Sequence, residues 1–392
     1  VGLHHPSRYT IYGTQLVDQL IQRDLRHGVH MICERWPDQQ LAAIVLCGGY
    51  GRGEGGVQRK NSQEYPFDDY DLLVVFKSLK PKEQAQINLS LGRLAMQISE
   101  KTAVPVDIAP VVDLETLSRA PFTLFWYLIR HSHRVLWGQV DLMQTLPTFP
   151  VEQLAADEGY KLLLNRGIEL WRAIDAGFPL VDPWIDPRWQ SLLLALHNAI
   201  IALGDAVMIF RGCYHPIYQE RIAILKSLLQ HEQDLPDAHM LAYLYPEAIQ
   251  YKLSPYEYRN LPVELVIGKL EVVRQLFLTY LQAFLAQTFA WEKAEIHSFQ
   301  AWLRFLLAHP PSLVKRFQNM RLNLQQLGRQ IGMNGWLWHP PQLRYLVSLP
   351  YLLDPEHFQP GPECLGLFPE LGPEPSTAAL GEAVKSRWKI LL

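Results

Sequence analysis

Hydrophobic positions change period several times along the chain, and each change predicts an element. Between residues 14 and 35, Leu16, Leu20, Ile21, Leu25 and Val29 recur at spacings that predict an amphipathic helix. "LAAIVLC", Leu41 to Cys47, is a continuous apolar run ended by glycines and predicts a buried strand. "YDLLVVF", Tyr70 to Phe76, and "VPVDIAPVV", Val104 to Val112, are further β-rich runs. Between them Ile87, Leu91, Leu94, Ala95 and Ile98 form a helical stripe, and "FTLFWYLIRHSHRVLWG" predicts a helix running into a short strand. The order to about residue 140 is therefore α-β-β-α-β.

After "QTLPTFP", where Pro147 and Pro150 mark a linker, helical periodicity dominates. It predicts helices over 151–175, 188–211, 216–231, 236–250, 262–288 and 296–308. In the fifth, Val266, Leu270, Val273, Phe277 and Phe284 form a bundle-core stripe. Leu192 to Phe210 is long and apolar enough to suggest a membrane span. His197, Asn198 and Asp205 interrupt it at a cost lipid would not repay, so a buried core helix is expected. From Pro340 to Pro375 proline is dense, which predicts a segment wrapping the surface. Ser376 is a good N-cap for a last helix. The expected class is α+β: a catalytic domain with a small mixed sheet over 1–140, an all-α bundle over 151–335, and a Pro-rich segment with a terminal helix over 336–392.

Candidate chemistry begins at "LCGGYGRGEGG", residues 46–56. Gly51, Gly53 and Gly56 satisfy G-x-G-x-x-G, and Asp71 lies where a ribose-binding acid would. The dinucleotide motif, however, needs an amphipathic helix straight after the glycines. Here "VQRKNSQEYPF" follows, with Val57 the only apolar residue before Tyr65 and Pro66 breaking any helix. NAD binding is not expected. A Walker loop is excluded because no Gly-Lys-Ser/Thr follows.

The acids point elsewhere. Asp69 and Asp71 stand two apart at the start of a strand, so period-two geometry sets both on one face. Adjacent carboxylates repel unless a cation lies between them, and a hard divalent ion suits them. Asp107 lies on another predicted strand among apolar neighbours, where an acid is costly without a partner.

A strand ending in Gly48-Gly49, a glycine loop, Asp69-x-Asp71 on the next strand and Asp107 on a third resembles the nucleotidyltransferase superfamily, to which DNA polymerase β and kanamycin nucleotidyltransferase belong. "GGYGRGE" and "DYDL" are also similar to the catalytic domain of the uridylyltransferase that modifies the nitrogen-signalling protein. The resemblance covers about residues 14–140. It implies transfer of a nucleoside monophosphate from a nucleoside triphosphate to an acceptor hydroxyl, with release of pyrophosphate. It implies Mg²⁺ or Mn²⁺ held by Asp69, Asp71 and Asp107, with Asp107 orienting or deprotonating the acceptor. It further implies phosphate contacts from the backbone around Gly48, Gly49 and Tyr50. Arg52 either contacts triphosphate or pairs with Glu54. The 20 residues from Gly49 to Asp69 exceed the family's usual spacing, which implies an inserted loop at "VQRKNSQEYP".

The remaining candidates have plainer readings. Asp68 is expected to cap a loop, Glu54 to be structural and Cys47 to be a small core residue. His131 and His133 lack a further ligand cluster and are not expected to bind zinc. Asp205 and Arg211 form a core ion pair, or the helix faces the cleft and Arg211 or Lys226 binds substrate.

Composition then limits the acceptor. The 392 residues are 48% hydrophobic and 19% charged with a net charge of −3, which gives no basic surplus for avid nucleic-acid binding. A small molecule or protein acceptor is expected, RNA 3′-end transfer less so, and no membrane partner. The alternative is a non-catalytic nucleotide-binding regulator on the same fold. Four scattered cysteines without a C-x-x-C pair indicate a reducing, cytoplasmic setting.

Overall fold

The structure, a computed structural model, describes residues 8–60, 62–177, 187–231, 235, 237–255, 261–288, 312–327, 338–339, 341–358, 368, 371 and 376–388. It is mixed α and β. The chain divides into two compact units. The first comprises Val1–Glu158, Val207–Gln230 and Ala242–Leu261, and the second comprises Gly159–Ala206, His231–Leu241 and Pro262–Leu392. The sheet-bearing unit thus runs past residue 140 and takes in two helical stretches from later in the chain.

In the first unit, α1 (Gln15–Arg35) leads into β1 (Leu41–Leu46), a single turn α2 (Gly48–Gly51), β2 (Gly56–Lys60), β3 (Gln63–Phe67) and β4 (Tyr70–Phe76). Then follow α3 (Pro81–Ser99), β5 (Val106–Ile108), β6 (Val112–Asp113), α4 (Leu114–Ser118), α5 (Leu124–His131) and β7 (Arg134–Gly138). The main sheet has the order β5-β4-β1-β7, with β6 also on β4. β1 runs antiparallel to both β4 and β7, while β5 and β6 run parallel to β4.

Alternation decides the faces. Tyr70, Leu72, Val74 and Phe76 of β4 join Ile44 and Leu46 of β1 in one core. Val17, Ile21, Leu25 and Ile32 of α1 and Leu91, Leu94 and Ile98 of α3 complete it. Leu73 and Val75 point the other way and are also fully buried, which is why β4 reads as an unbroken apolar run. Asp69 and Asp71 share the side of Leu73, away from α1 and α3.

The segment expected to be an inserted loop is the antiparallel hairpin β2–β3, with Gly56 paired to Phe67 and Lys60 to Gln63. Among the described residues, the glycine loop contains the single turn α2 and leads straight into strand β2, not into a helix. β4, the next strand of the main sheet, returns antiparallel to β1, not parallel as in a dinucleotide-binding βαβ unit.

Later helices are α6 (Ala156–Asp175), α7 (Pro187–Phe210), α8 (Tyr218–His231), α9 (Ala238–Leu253), α10 (Val263–Thr288), α11 (Leu313–Leu327), α12 (Pro341–Leu353) and α13 (Thr377–Trp388). The helix expected over 296–308 lies outside the described residues. Arg188–Phe210 is long and apolar enough to cross a membrane, and 83% of its most apolar stretch is buried inside the protein. It is a core helix. The α10 stripe of Val266, Leu270, Val273, Phe277 and Phe284 is buried as expected.

Pro341–Leu353 departs from the surface-wrapping expectation, because it is a helix that buries Tyr345, Val347, Leu349 and Tyr351. Pro341 occupies its first position, where the missing amide hydrogen costs nothing. Most of 359–375 lies outside the described residues. The Ser376 hydroxyl accepts from the Ala379 amide at 3.1 Å, the expected N-cap of α13.

Candidate active site

The site is assembled at the ends of β1, β4 and β5. Asp71 lies in β4 and its register partner across the parallel pair is Asp107 of β5. Tyr70 faces Val106 and Leu72 faces Ile108, so the apolar neighbours of both acids turn into the core while the two acids share the opposite face. Asp69 immediately precedes the strand. Asp69 and Asp71 are half-buried and Asp107 is exposed.

β1 delivers the glycine loop to the same place. The Cys47 amide donates to the Asp71 carbonyl at 2.8 Å, which ties the start of the loop to β4. Gly48 follows with φ +61°, a conformation that favours glycine. A Cβ there would sit 2.0 Å from Asp71 Oδ2. The glycine is therefore required twice, by its backbone angle and by the carboxylate it faces.

Tyr50 is committed to the fold through its side chain. Its hydroxyl lies 2.8 Å from the Gly56 carbonyl oxygen and 2.9 Å from that of Phe67, with one proton to share between them, and accepts from the Phe67 amide at 2.8 Å. It pins the hairpin to the loop. Of the two alternatives for Arg52, the pair with Glu54 is formed, with Nε to Oε2 at 2.7 Å and both side chains buried. Cys47 is buried, and burial, with Asp71 adding to it, pushes its thiol far above the ordinary range. It is a core residue. The His133 ring is buried and meets the Ile129 carbonyl at 2.7 Å.

Burial pushes the Asp69 carboxyl up to about 7, with the charges of Asp71, Asp68 and Asp107 adding to it and Lys252 opposing. Burial likewise pushes Asp71 up to about 6; Lys252 and Arg52 oppose the rise, and Asp68 and Asp107 add to it. Asp68, at φ +79°, is more than a loop cap, since its carboxylate pairs with Lys252 in the last turn of α9.

Lys252 is the site residue that periodicity did not reveal. It lies 184 positions from Asp68, and nothing local marks it. The backbone of the same helix end packs on the hairpin: a Cβ on Gly56 would meet the Lys252 carbonyl oxygen at 2.5 Å. The Tyr251 ring stacks edge-on to Phe67 with centroids 5.9 Å apart. Arg211 lies exposed just beyond α7, and Lys226 lies exposed on α8. The cations acting on Asp71 are Lys252 and Arg52.

The donor set can be tested against a divalent ion. Among the described residues, no three His, Cys, Asp or Glu side chains are gathered into a ligand cluster. Asp69, Asp71 and Asp107, the expected three-carboxylate set, are therefore not gathered as one ligand group; Asp107 is exposed and lies in register with Asp71. Mg²⁺ takes one or two carboxylates and completes its shell with water and substrate phosphates. Two acids whose anionic forms are disfavoured by burial and by neighbouring carboxylates fit that requirement.

No protein-family model matches the chain, and no curated protein does. Among solved structures it is similar to spectinomycin adenyltransferase from Enterococcus faecialis, solved with ATP and spectinomycin. The identity is 13% and the TM-score 0.36, over 65% of this chain and 99% of that one.

Proposed function

We propose that this protein is a nucleotidyltransferase that moves a nucleoside monophosphate from a nucleoside triphosphate to an acceptor hydroxyl and releases pyrophosphate. The observation that carries the reading is the setting of Asp69 and Asp71 on one face of the β4 end, against a glycine loop whose Gly48 leaves no room for a side chain beside Asp71. Asp69 and Asp71 would hold a divalent cation, Mg²⁺ or Mn²⁺. When bound, that ion supplies charge neutralisation for the triphosphate and lowers the pKa of a nearby hydroxyl.

The chain's own groups would do the rest. The backbone at Gly48 and Gly49 lets phosphate oxygens approach where a Cβ would block them. Asp107, exposed and in register with Asp71, would accept the acceptor's hydroxyl proton as its oxygen attacks the α-phosphorus. The bond from that phosphorus to the pyrophosphate oxygen breaks as the new ester bond forms. Charge on the transferring phosphate is met by fixed groups, so catalysis is mainly positioning and electrostatics. A small-molecule or protein acceptor suits the near-neutral charge, and the scattered cysteines suit a reducing, cytoplasmic setting.

The test is mass spectrometry of candidate acceptors after incubation with each nucleoside triphosphate and Mg²⁺. A mass gain of one nucleoside monophosphate, with pyrophosphate released in equal amount, is the expected result. Triphosphate hydrolysis to diphosphate and phosphate, with no acceptor modified, would replace the proposal by an NTPase.

A further inference from the structure

Glu54 stands at the centre of a buried network that the proposed chemistry does not use. Its side chain is 5% exposed and that of Arg52 is 7% exposed. The Glu54 carboxylate accepts from Arg52 Nε at 2.7 Å and, through both oxygens, from the Tyr218 amide at 3.0 and 3.1 Å. Tyr218 opens α8, so this amide has no acceptor within its own helix. A carboxylate at a helix N-terminus also meets the favourable end of the dipole.

The Tyr218 ring carries the Arg52 guanidinium 4.5 Å from its centroid and that of Arg221 at 4.6 Å. Arg221 is fixed in turn, donating to the His215 carbonyl at 2.6 Å and the Pro216 carbonyl at 2.8 Å. On the loop side, the Glu54 amide donates to the Gly49 carbonyl at 2.8 Å and the Gly55 amide to the Tyr9 carbonyl at 2.9 Å.

We infer that Glu54 is a positioning residue that fixes the glycine loop to the first turn of α8 and holds Arg52 against the Tyr218 ring, so that the loop is set before a nucleotide arrives. The direct support is that one carboxylate satisfies a loop cation and a helix amide at once. Arg52 is part of the glycine loop itself, where its amide donates to the Gly48 carbonyl at 3.4 Å. A buried charge that loses its partner must move or draw in water. Removing the Glu54 charge therefore frees the loop through Arg52. The nucleotide part of the inference rests on the proposed nucleotidyl transfer, whereas the loop part does not.

The test compares wild type, Glu54→Gln and the double variant Arg52→Met with Glu54→Gln. Amide hydrogen exchange is followed over residues 47–56 and 214–222, and Mg·ATP affinity is titrated on the same samples well below their melting temperatures. Glutamine keeps an oxygen for the Tyr218 amide but leaves Arg52 without a counter-charge. The expected result is at least tenfold faster exchange at the loop amides of Glu54→Gln and at least tenfold weaker Mg·ATP binding. The double variant should recover loop protection, because the stranded charge is gone. Unchanged loop exchange in folded Glu54→Gln overturns the inference. Faster loop exchange with unchanged Mg·ATP affinity overturns its nucleotide part. A wild type that binds none of the four nucleoside triphosphates with Mg²⁺ while Glu54→Gln frees the loop overturns nucleotidyl transfer and supports the strut.

Discussion

Replacing Asp69 by asparagine should make the metal-free protein more stable at neutral pH. Burial first, and then Asp71, Asp68 and Asp107, push this carboxyl from 3.8 to about 7. The sign follows from proton linkage. The folded state holds the proton more tightly than the unfolded chain, so below about pH 4 the acid is neutral in both and costs nothing. As pH rises from about 4 through about 7, the unfolded chain ionises first and stability falls; above that the penalty is constant. At about 1.4 kcal/mol per unit, the full shift corresponds to about 4 kcal/mol. Water reaches a half-buried carboxylate, so about 1–2 kcal/mol of this is expected to survive. Asp69→Asn should therefore raise the melting temperature by about 3–6 °C at about pH 8, and by almost nothing at about pH 4. Millimolar Mg²⁺ should narrow the difference by stabilising only the wild type. Thermal melts across that pH range, with and without Mg²⁺, are the assay. A variant less stable than wild type at about pH 8, or an equal gain at both ends, refutes the reasoning.

Three further outcomes are expected. Asp107→Asn should lower single-turnover rate about a hundredfold, or about 3 kcal/mol, while nucleotide affinity changes less than about tenfold. Collapse of affinity with a normal rate at saturating nucleotide would make Asp107 a binding residue. Tyr50→Phe should cost about 1–3 kcal/mol in denaturant melts, because the Phe67 amide and the carbonyls of Gly56 and Phe67 lose the hydroxyl that accepts from the one and shares its proton between the others. Titration calorimetry should show no NAD binding without metal, and tight binding there would restore the dinucleotide reading of the glycine loop.

What could be read from the chain follows from where burial imposes a pattern. β4 spans Tyr70–Phe76 as its apolar run predicts, because both its faces are covered. Asp69 and Asp71 share a face because alternation is a property of the extended backbone itself. The β2–β3 hairpin was not legible. Gln58, Arg59, Gln63 and Glu64 carry little apolar signal, and cross-strand pairing defines the element instead. α11 hid for a related reason: it buries Asn319 and Asn323, which donate to the carbonyls of Trp338 and His339, and exposes Leu313, Val314 and Phe317. Its polarity is inverted relative to an ordinary core helix. Proline density obscured α12, since composition does not say that Pro341 begins a helix and Pro350 lies near its end. Lys252 needed the fold, because only chain folding brings α9 to the glycine hairpin.

The account stands on Asp69 and Asp71 jointly holding metal-bound triphosphate. Titration calorimetry of a nucleoside triphosphate into wild type and into the Asp69→Asn, Asp71→Asn double variant, each with Mg²⁺ and with chelator, tests it most directly. Binding by wild type only with Mg²⁺, and loss of that binding in a double variant that still melts cooperatively, is the predicted result. Equal Mg²⁺-dependent affinity in the two proteins would contradict it.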